Sequence, residues 1–340
     1  MKCILCDKNE AIEHGLCSDC LDRNFQINVN GSVDLTICPK CDSFKVGNRW
    51  YREGMKGRLA AAIRKHITGS SGSAEINVVS DSISINRPEG RIDFSVAVDN
   101  GHSSLITRSE SIPSKILLNS CPICNKVTGS YYEAIIQMRT FGTNYTSIID
   151  EAMDRIDPFI VNMESRSNDS FLSKIVRLPE GLDLYIGKKN DAIKMTRFLH
   201  ENFFSEIKIT KKLAGRREGE DFYRYTYLVR LLNLSRGTII QHEGREYLLE
   251  QISPNSLTLI DAASERRFTV QQNDFYSGSY SDTQEKAELR RYIVISNTAS
   301  ETELMDSLNF SRFTVKGSYH GEIMAFYYGG KIIPTEIPVQ

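Results

Sequence analysis

Eight cysteines carry the strongest chemical pattern in this sequence. Every one lies in a Cys-x-x-Cys pair: Cys3/Cys6, Cys17/Cys20, Cys38/Cys41 and Cys121/Cys124. Residues 125–340 contain none. A disulfide framework would scatter cysteines through the loops of a secreted chain, and a thiol redox protein needs one such pair at the start of a βαβ unit, not four. Two residues between ligands let one tight turn aim both thiolates at one metal, and two such turns complete a tetrahedral site. The pattern predicts two structural zinc ions per chain. Four thiolates leave no open position for water, so the zinc shapes the fold and does no catalysis.

Ten residues (7–16) separate Cys6 from Cys17, with Gly15 just ahead of the second knuckle. Cys3, Cys6, Cys17 and Cys20 are therefore read as one compact site. Cys38, Cys41, Cys121 and Cys124 then pair across the 79 residues 42–120. Loop-closure entropy grows slowly with length, and structural zinc contributes about 10–16 kcal/mol in small peptides, so such a closure is accessible. Other pairings of the four knuckles stay open. The long intervening loop has to be a folded insertion.

Two basic stretches carry the residue types that RNA contact requires, arginine and lysine for phosphates and aromatic rings for bases. In KVGNRWYREGMKGRL (45–59), Lys45, Arg49, Arg52, Lys56 and Arg58 stand against one acid, Glu53, with Trp50 and Tyr51 among them. The bland alternative is a solvated loop and helix face with Trp50 buried in a small core. In KITKKLAGRR (208–217), Lys208, Lys211, Lys212, Arg216 and Arg217 are followed at once by Glu218, Glu220 and Asp221, which partly cancel the field. Here the alternative is a solvated hairpin tip, with two strands and their turn sharing the charges. Tyr131 and Tyr132 follow the last knuckle; in a strand one faces the core and the other faces out. The outer ring has base stacking open to it, with packing on the zinc module as the expected use. The six histidines show no HxxE or HExxH arrangement, with His14, near Cys17, as an alternative ligand, and no phosphate-binding glycine loop follows a strand.

The elements that position these residues are short. KGRLAAAIRKHI (56–67) has apolar spacing for a helix at Leu59, Ala62, Ile63 and Ile67, followed by a flexible GSSGS (69–73). AEINVVSDSISIN, RIDFSVAVDN and SKILLNS read as strands, with a hairpin turn at Asp99-Asn100-Gly101. YYEAIIQMR opens a new pattern. A helix over 146–160 is disturbed at Pro158, and FLSKIVRLP and GLDLYIG are strands around Pro179-Glu180-Gly181. A helix from Asn190 to Phe204 is capped near Asn190 or Asp191, and two further strands join through RREGED. The order β-α-β-β-α-β with an added strand predicts a ferredoxin-like sandwich. From Ser235, short strands with turns at Glu243-Gly244, Pro254-Asn255 and Ala262–Glu265 predict a small SH3-like or OB-like barrel. Residues 291–340 are strand-rich, with ETELMDSLNF as one helix.

The expected fold class is α+β and multi-domain. A double-zinc domain of zinc-ribbon or treble-clef-like type spans 1–128, a ferredoxin-like domain 129–234 and a barrel region 235–340. The 340 residues suit two or three domains, and 40% apolar with 25% charged side chains is a soluble globular composition. A formal net charge of −1, from 42 basic and 43 acidic residues, neither indicates nor excludes nucleic acid. No apolar run of about 18 residues predicts a membrane span, and MKCILCDKNE has no apolar core of a secretory signal. A cytoplasmic monomer is the expectation.

The N-terminal knuckles, the late CPICN knuckle, YYEAIIQMR and EGLDLYIGKKNDA together resemble the Nmd-three family, the large-ribosomal-subunit export adaptors of eukaryotes and their archaeal relatives. The resemblance covers residues 1–235 and extends into the barrel region. It implies a zinc-bearing first domain, small β-rich domains after it, and docking on the joining face of the large ribosomal subunit late in maturation. The implied partners are rRNA, ribosomal proteins and an anti-association factor of the initiation-factor-six type. Eukaryotic members carry a C-terminal tail with nuclear shuttling signals. This sequence ends at KIIPTEIPVQ without a basic or leucine-rich extension, so an archaeal-type member without the export role is expected. Two other classes compete with this reading. One is a zinc-ribbon protein–protein adaptor that does not touch RNA. The other is a nucleic-acid-acting enzyme whose pocket the sequence does not reveal.

Overall fold

The strand before Cys38 and the strand before Cys121 lie side by side and run in the same direction, and that pairing organises the first part of the molecule. The computed structural model describes residues 1–24, 27–68, 74–79, 89–99, 105–142, 146–166, 169–217 and 219–335. GSSGS (69–73), SISIN (82–86) and the Asn100-Gly101 turn lie outside these residues. The chain divides into two units, Met1–Gly129 and Ser130–Gln340.

The first unit runs α1 (Ser18–Asn24), β1 (Asn28–Val29), β2 (Leu35–Ile37), β3 (Phe44–Val46), β4 (Arg49–Tyr51), α2 (Met55–Arg64), β5 (Ile67–Thr68), β6 (Ala74–Val78), β7 (Glu89–Asp99), β8 (Leu105–Leu118) and α3 (Pro122–Thr128). A six-stranded sheet has the order β4-β3-β2-β8-β7-β6, with β2 and β8 parallel and β1 pairing separately with β5. Alternation along β7 buries Ile92, Phe94 and Val96 on one face. These residues meet Leu35, Phe44, Leu59 and Ile63 in a single core. Helix α2 stops at Arg64, so Ile67, expected on its apolar stripe, belongs to β5 instead.

The second unit opens with β9 (Ala134–Phe141), α4 (Thr146–Arg166), β10 (Leu172–Leu178), β11 (Gly181–Ile186), α5 (Lys189–Asn202), β12 (Ser205–Arg217) and β13 (Glu220–Leu232). The expected element order is present. The sheet order is β10-β11-β9-β13-β12, so the added strand β13 sits inside the sheet, parallel to β9, and pushes β12 to the edge. Both helices pack on one face, over Ala134, Ile136, Met138, Leu182, Leu184, Val229 and Leu231. Helix α4 runs through Pro158, which sequence reading took as a disturbance. Pro158 lies on the exposed side, and Ile149, Ala152, Ile156, Ile160 and Met163 form a continuous buried stripe. Packing of that stripe outweighs the roughly 3 kcal/mol that an interior proline costs. Helix α5 starts at Lys189 with no side-chain cap of its own; Glu133 accepts its first amide at 3.0 Å, in place of the expected Asn190 or Asp191. RREGED is not a free turn, since Arg216 and Arg217 still pair with Asp221 and Glu220 across the hairpin.

Two small sheets follow. β14 (Thr238–His242), β15 (Arg245–Ile252), β16 (Ser256–Asp261), β17 (Arg267–Gln271), the short helix α6 (Gln272–Ser277) and β18 (Ser281–Lys286) form a barrel-like sheet of order β17-β16-β15-β14-β18. Its first hairpin turns at Glu243 and Gly244, both with positive φ, as a two-residue turn of the right hand requires. β19 (Glu288–Asn297), β20 (Glu301–Asp306), β21 (Arg312–Lys316), β22 (Glu322–Tyr328) and β23 (Lys331–Pro334) form the last sheet, of order β21-β20-β19-β22-β23. ETELMDSLNF is thus a strand and turn, not a helix. Thr302, Leu304 and Asp306 alternate inward, and buried Asp306 accepts the amides of Leu308 and Asn309 to close the turn.

Candidate metal centres

Each four-cysteine group is built from one tight turn and one helix start. Cys3 and Cys6 sit in a turn closed by Asp7 N–H to the Cys3 carbonyl at 2.9 Å, while Cys17 immediately precedes α1 and Cys20 lies within it. Cys38 follows β2 and Cys41 closes its turn; Cys121 is the N-cap of α3, with Pro122 at its first position and Cys124 in its first turn. The second group answers how knuckles 79 residues apart can meet. Ile37 and Leu118 are register partners in the parallel pair, and Asn119 N–H reaches the Ile37 carbonyl at 3.0 Å. Both chain exits leave the same end of the sheet, and the knuckles follow directly. Lys40 Nζ ties the turn to α3 by donating to Thr128 Oγ1 at 2.8 Å.

The sulfurs converge. In each group all four Sγ atoms lie within 4.8 Å of one another. Cys6 and Cys17 Sγ are 3.6 Å apart, and Cys41 and Cys121 Sγ 3.7 Å. A tetrahedron with Zn–S bonds near 2.3 Å has sulfur–sulfur edges of about 3.8 Å, whereas a disulfide needs about 2.05 Å. The spacing suits a shared tetrahedral ion and no S–S bond. The Cys121 amide donates to Cys38 Sγ at 3.3 Å and the Cys124 amide to Cys121 Sγ at 3.4 Å.

Titration of the thiols fits the same donor set. Burial pushes Cys3 up, but the backbone amides around it outweigh burial and bring it down to about 6. Burial and the neighbouring sulfurs push Cys20 up to about 12. In the second group burial opposes, and the amides of Cys121 and Lys40 overcome it, so Cys38 falls to about 6. Burial and the other sulfurs raise Cys124. Four thiols this close cannot all ionise unaided, and a divalent cation supplies the missing positive charge. The first module has little else to hold it: its core is Cys3, Cys17 and Cys20, while Ile4, Leu5 and Ile12 are exposed. His14 is paired with Glu13 and stands outside the cluster.

Residues 3–129 match the family model described as the NMD3 N-terminal domain, and residues 131–231 match the NMD3 second domain. The chain belongs to the NMD3 family. Among curated relatives, the 60S ribosomal export protein NMD3 of Saccharomyces cerevisiae (strain ATCC 204508 / S288c) is 20% identical over 236 residues, 66% of this chain and 43% of the yeast protein. The chain therefore spans less than half the length of that relative. A solved structure of protocadherin gamma B7 extracellular cadherin domains 1–4 overlaps 90% of this chain and 100% of its own at 8% identity, with a TM-score of 0.13, which is no likeness of fold.

In this family member the first basic stretch is spread over β3, β4 and α2. Lys45 and Trp50 are cross-strand partners. Trp50 is half-buried and is not part of the buried core around Phe44 and Leu59. Arg49, Lys56 and Arg58 are exposed, with the Arg58 guanidinium 4.5 Å from the Tyr51 ring centre, and Arg52 is half-buried. The second stretch is not one patch. Lys208 to Arg217 all lie on β12, not on two strands and a turn. Lys208 pairs with Glu206 at 2.9 Å, Lys211 covers the Tyr223 ring at 4.9 Å, and Arg216 pairs with Asp221 at 2.7 Å. Arg217 ends the strand. Sequence reasoning passed over Asn9 and Ser43, which lie 3.9 Å from Cys17 Sγ and 3.1 Å from Cys41 Sγ; a polar residue two or three positions past a knuckle was the available signal.

Proposed function

We propose that this chain is a non-catalytic factor that docks on the large ribosomal subunit, on rRNA and ribosomal proteins, late in maturation and in the cytoplasm. The reading is supported above all by the family match over residues 3–129 and 131–231, which spans the unit holding both cysteine clusters. Zinc, two ions per chain, is held by Cys3, Cys6, Cys17 and Cys20 and by Cys38, Cys41, Cys121 and Cys124. It replaces an apolar core in the first module and clamps the sheet ends in the second. It thereby presents Lys45, Arg49, Trp50, Arg52, Lys56 and Arg58 to rRNA on a rigid support. Lys208, Lys211, Lys212, Arg216 and Arg217 supply a weaker contact along β12. The domain division at 128 and 234 belongs to the same reading, as does an anti-association factor as neighbour on the subunit.

Phosphate contacts release counterions, so docking is salt-dependent. The wild-type chain is expected to co-sediment with purified large subunits at low salt and to be released as salt rises. The triple variant Arg49→Glu/Arg52→Glu/Lys56→Glu is expected to stay in the supernatant. A wild type that ignores subunits overturns the reading. A triple variant that still sediments like wild type replaces rRNA contact by the protein–protein adaptor reading.

A further inference from the structure

Among the described residues, α4 and α5 both pack on one face of the α/β sheet of the second unit. On the other face, the end of the sheet nearest Tyr132 carries a row of basic side chains around two rings. Lys174 Nζ lies 4.3 Å from the Tyr185 ring centre. Tyr185 meets Tyr132 edge-to-face at 4.9 Å between centroids. The Arg224 guanidinium lies 4.3 Å from the Tyr132 ring centre. Lys212 is the register partner of Arg224 on the edge strand and is exposed. The row crosses the sheet from β10 to β12, about 19 Å at the usual strand spacing.

Its charges are unneutralised. Further down the same face, Arg139 is paired with Asp183 at 2.8 Å, Arg230 with Glu206 at 3.2 Å and Lys208 with the same Glu206. Among the described residues no carboxylate pairs with Lys174, Arg224 or Lys212. Arg224 Nε is buried without an acceptor, so this guanidinium is held by stacking alone. Both tyrosines are half-buried, and a cation lies over one face of each ring. Fixed rings flanked by free cations recognise unpaired bases with their phosphates, because every base has a π-face and a duplex hides it. An acidic peptide would use the cations and leave the rings without a task.

We propose that this helix-free face binds single-stranded RNA, with Tyr132 and Tyr185 stacking bases and Lys174, Arg224 and Lys212 holding phosphates. The choice of RNA as the ligand rests on the ribosome-docking reading; the surface itself is argued from geometry. A sheet that stacks bases on exposed aromatics accommodates about two or three of them.

The test is fluorescence anisotropy of the full zinc-loaded chain with a short labelled single-stranded RNA, at several salt concentrations, beside the subunit sedimentation assay. Tyr132→Ala and Tyr185→Ala are each expected to weaken binding roughly tenfold or more, and Tyr132→Phe and Tyr185→Phe to retain it. Arg224→Gln is expected to lower the salt slope by about 0.7. RNA affinity unchanged in both alanine variants, or a phenylalanine variant as weak as its alanine counterpart, overturns the stacking platform. If that occurs while the wild type still sediments with subunits, docking stands without the platform. If the variants lose RNA affinity as expected while the wild type ignores subunits, the platform stands and the docking reading fails.

Discussion

Replacing Cys121 by serine removes one ligand from the second cluster, while serine, itself a good N-cap, keeps the start of α3 capped. The loss can be sized from the loop that the cluster closes. Cys41 and Cys121 are 80 residues apart in sequence and their sulfurs 3.7 Å apart in space. A cross-link closing a loop of that length constrains the unfolded chain by about 4.5 kcal/mol, against about 2.8 kcal/mol for the 11-residue separation of Cys6 and Cys17. Spread over a unit of this size, the larger figure lowers a melting temperature by roughly 15 °C. Cys121→Ser is therefore expected to retain one zinc per chain, held by Cys3, Cys6, Cys17 and Cys20, and to melt its first unit well below wild type. Cys3→Ser is expected to retain one zinc also, with the six-stranded sheet melting close to wild type, because that sheet has its own core at Phe44, Leu59, Ile63 and Phe94. Elemental analysis of the purified variants reads the metal, and hydrogen exchange of β2, β7 and β8 on heating reads the unit. Loss of both zinc ions in Cys121→Ser, or a first unit that melts as in wild type, refutes the reasoning.

Gly181→Ala should be strongly destabilising: φ there is +148°, and an added Cβ would lie 2.1 Å from the Met138 carbonyl oxygen. Thermal unfolding of the second unit checks it, and a near-wild-type midpoint contradicts it. Asp306→Asn should weaken the last sheet. Burial pushes the Asp306 carboxyl up, but the Leu308 amide and Arg290 outweigh it and hold it below the usual range. A depressed carboxylate contributes stability above its unfolded value, about 3.9, and loses it as pH falls through the folded value; the gap between wild type and variant should be full near neutrality and close in strong acid. Pro158→Ala should stabilise α4 by about 2–3 kcal/mol, since it restores an interior amide on an exposed face. Denaturant titration of the second unit reads it, and no gain would mean that the helix is strained elsewhere.

Much of the candidate site was legible because its chemistry is local. A Cys-x-x-Cys knuckle aims two thiolates through one turn, so ligand identity needs no knowledge of the rest of the fold. The alternation of Ile135 to Arg139 and the stripe of α5 were equally local, since periods of two and 3.6 belong to the backbone. Reading failed where packing overrode a local rule. Pro158 breaks isolated helices, and only the buried stripe of α4 shows why this one continues. ETELMDSLNF has good helix formers, and only the sheet beside it selects the strand. The cap of α5 comes from Glu133, far away in sequence, and no window around Asn190 contains it.

The sequence by itself determined that eight thiols are typed and spaced as metal ligands and that the family would be recognised, because ligand type and spacing are properties of a few neighbouring residues. Tertiary structure alone decided which knuckles share a site. The parallel register of β2 on β8 carries Cys38 and Cys121 to the same end of one sheet, and sequence spacing cannot express that register. It also decided what Tyr132 meets. β11 and β13 bring Tyr185 and Arg224 to it from 53 and 92 residues away, and β10 sets Lys174 on Tyr185; a row assembled from separate strands exists only once the sheet has formed.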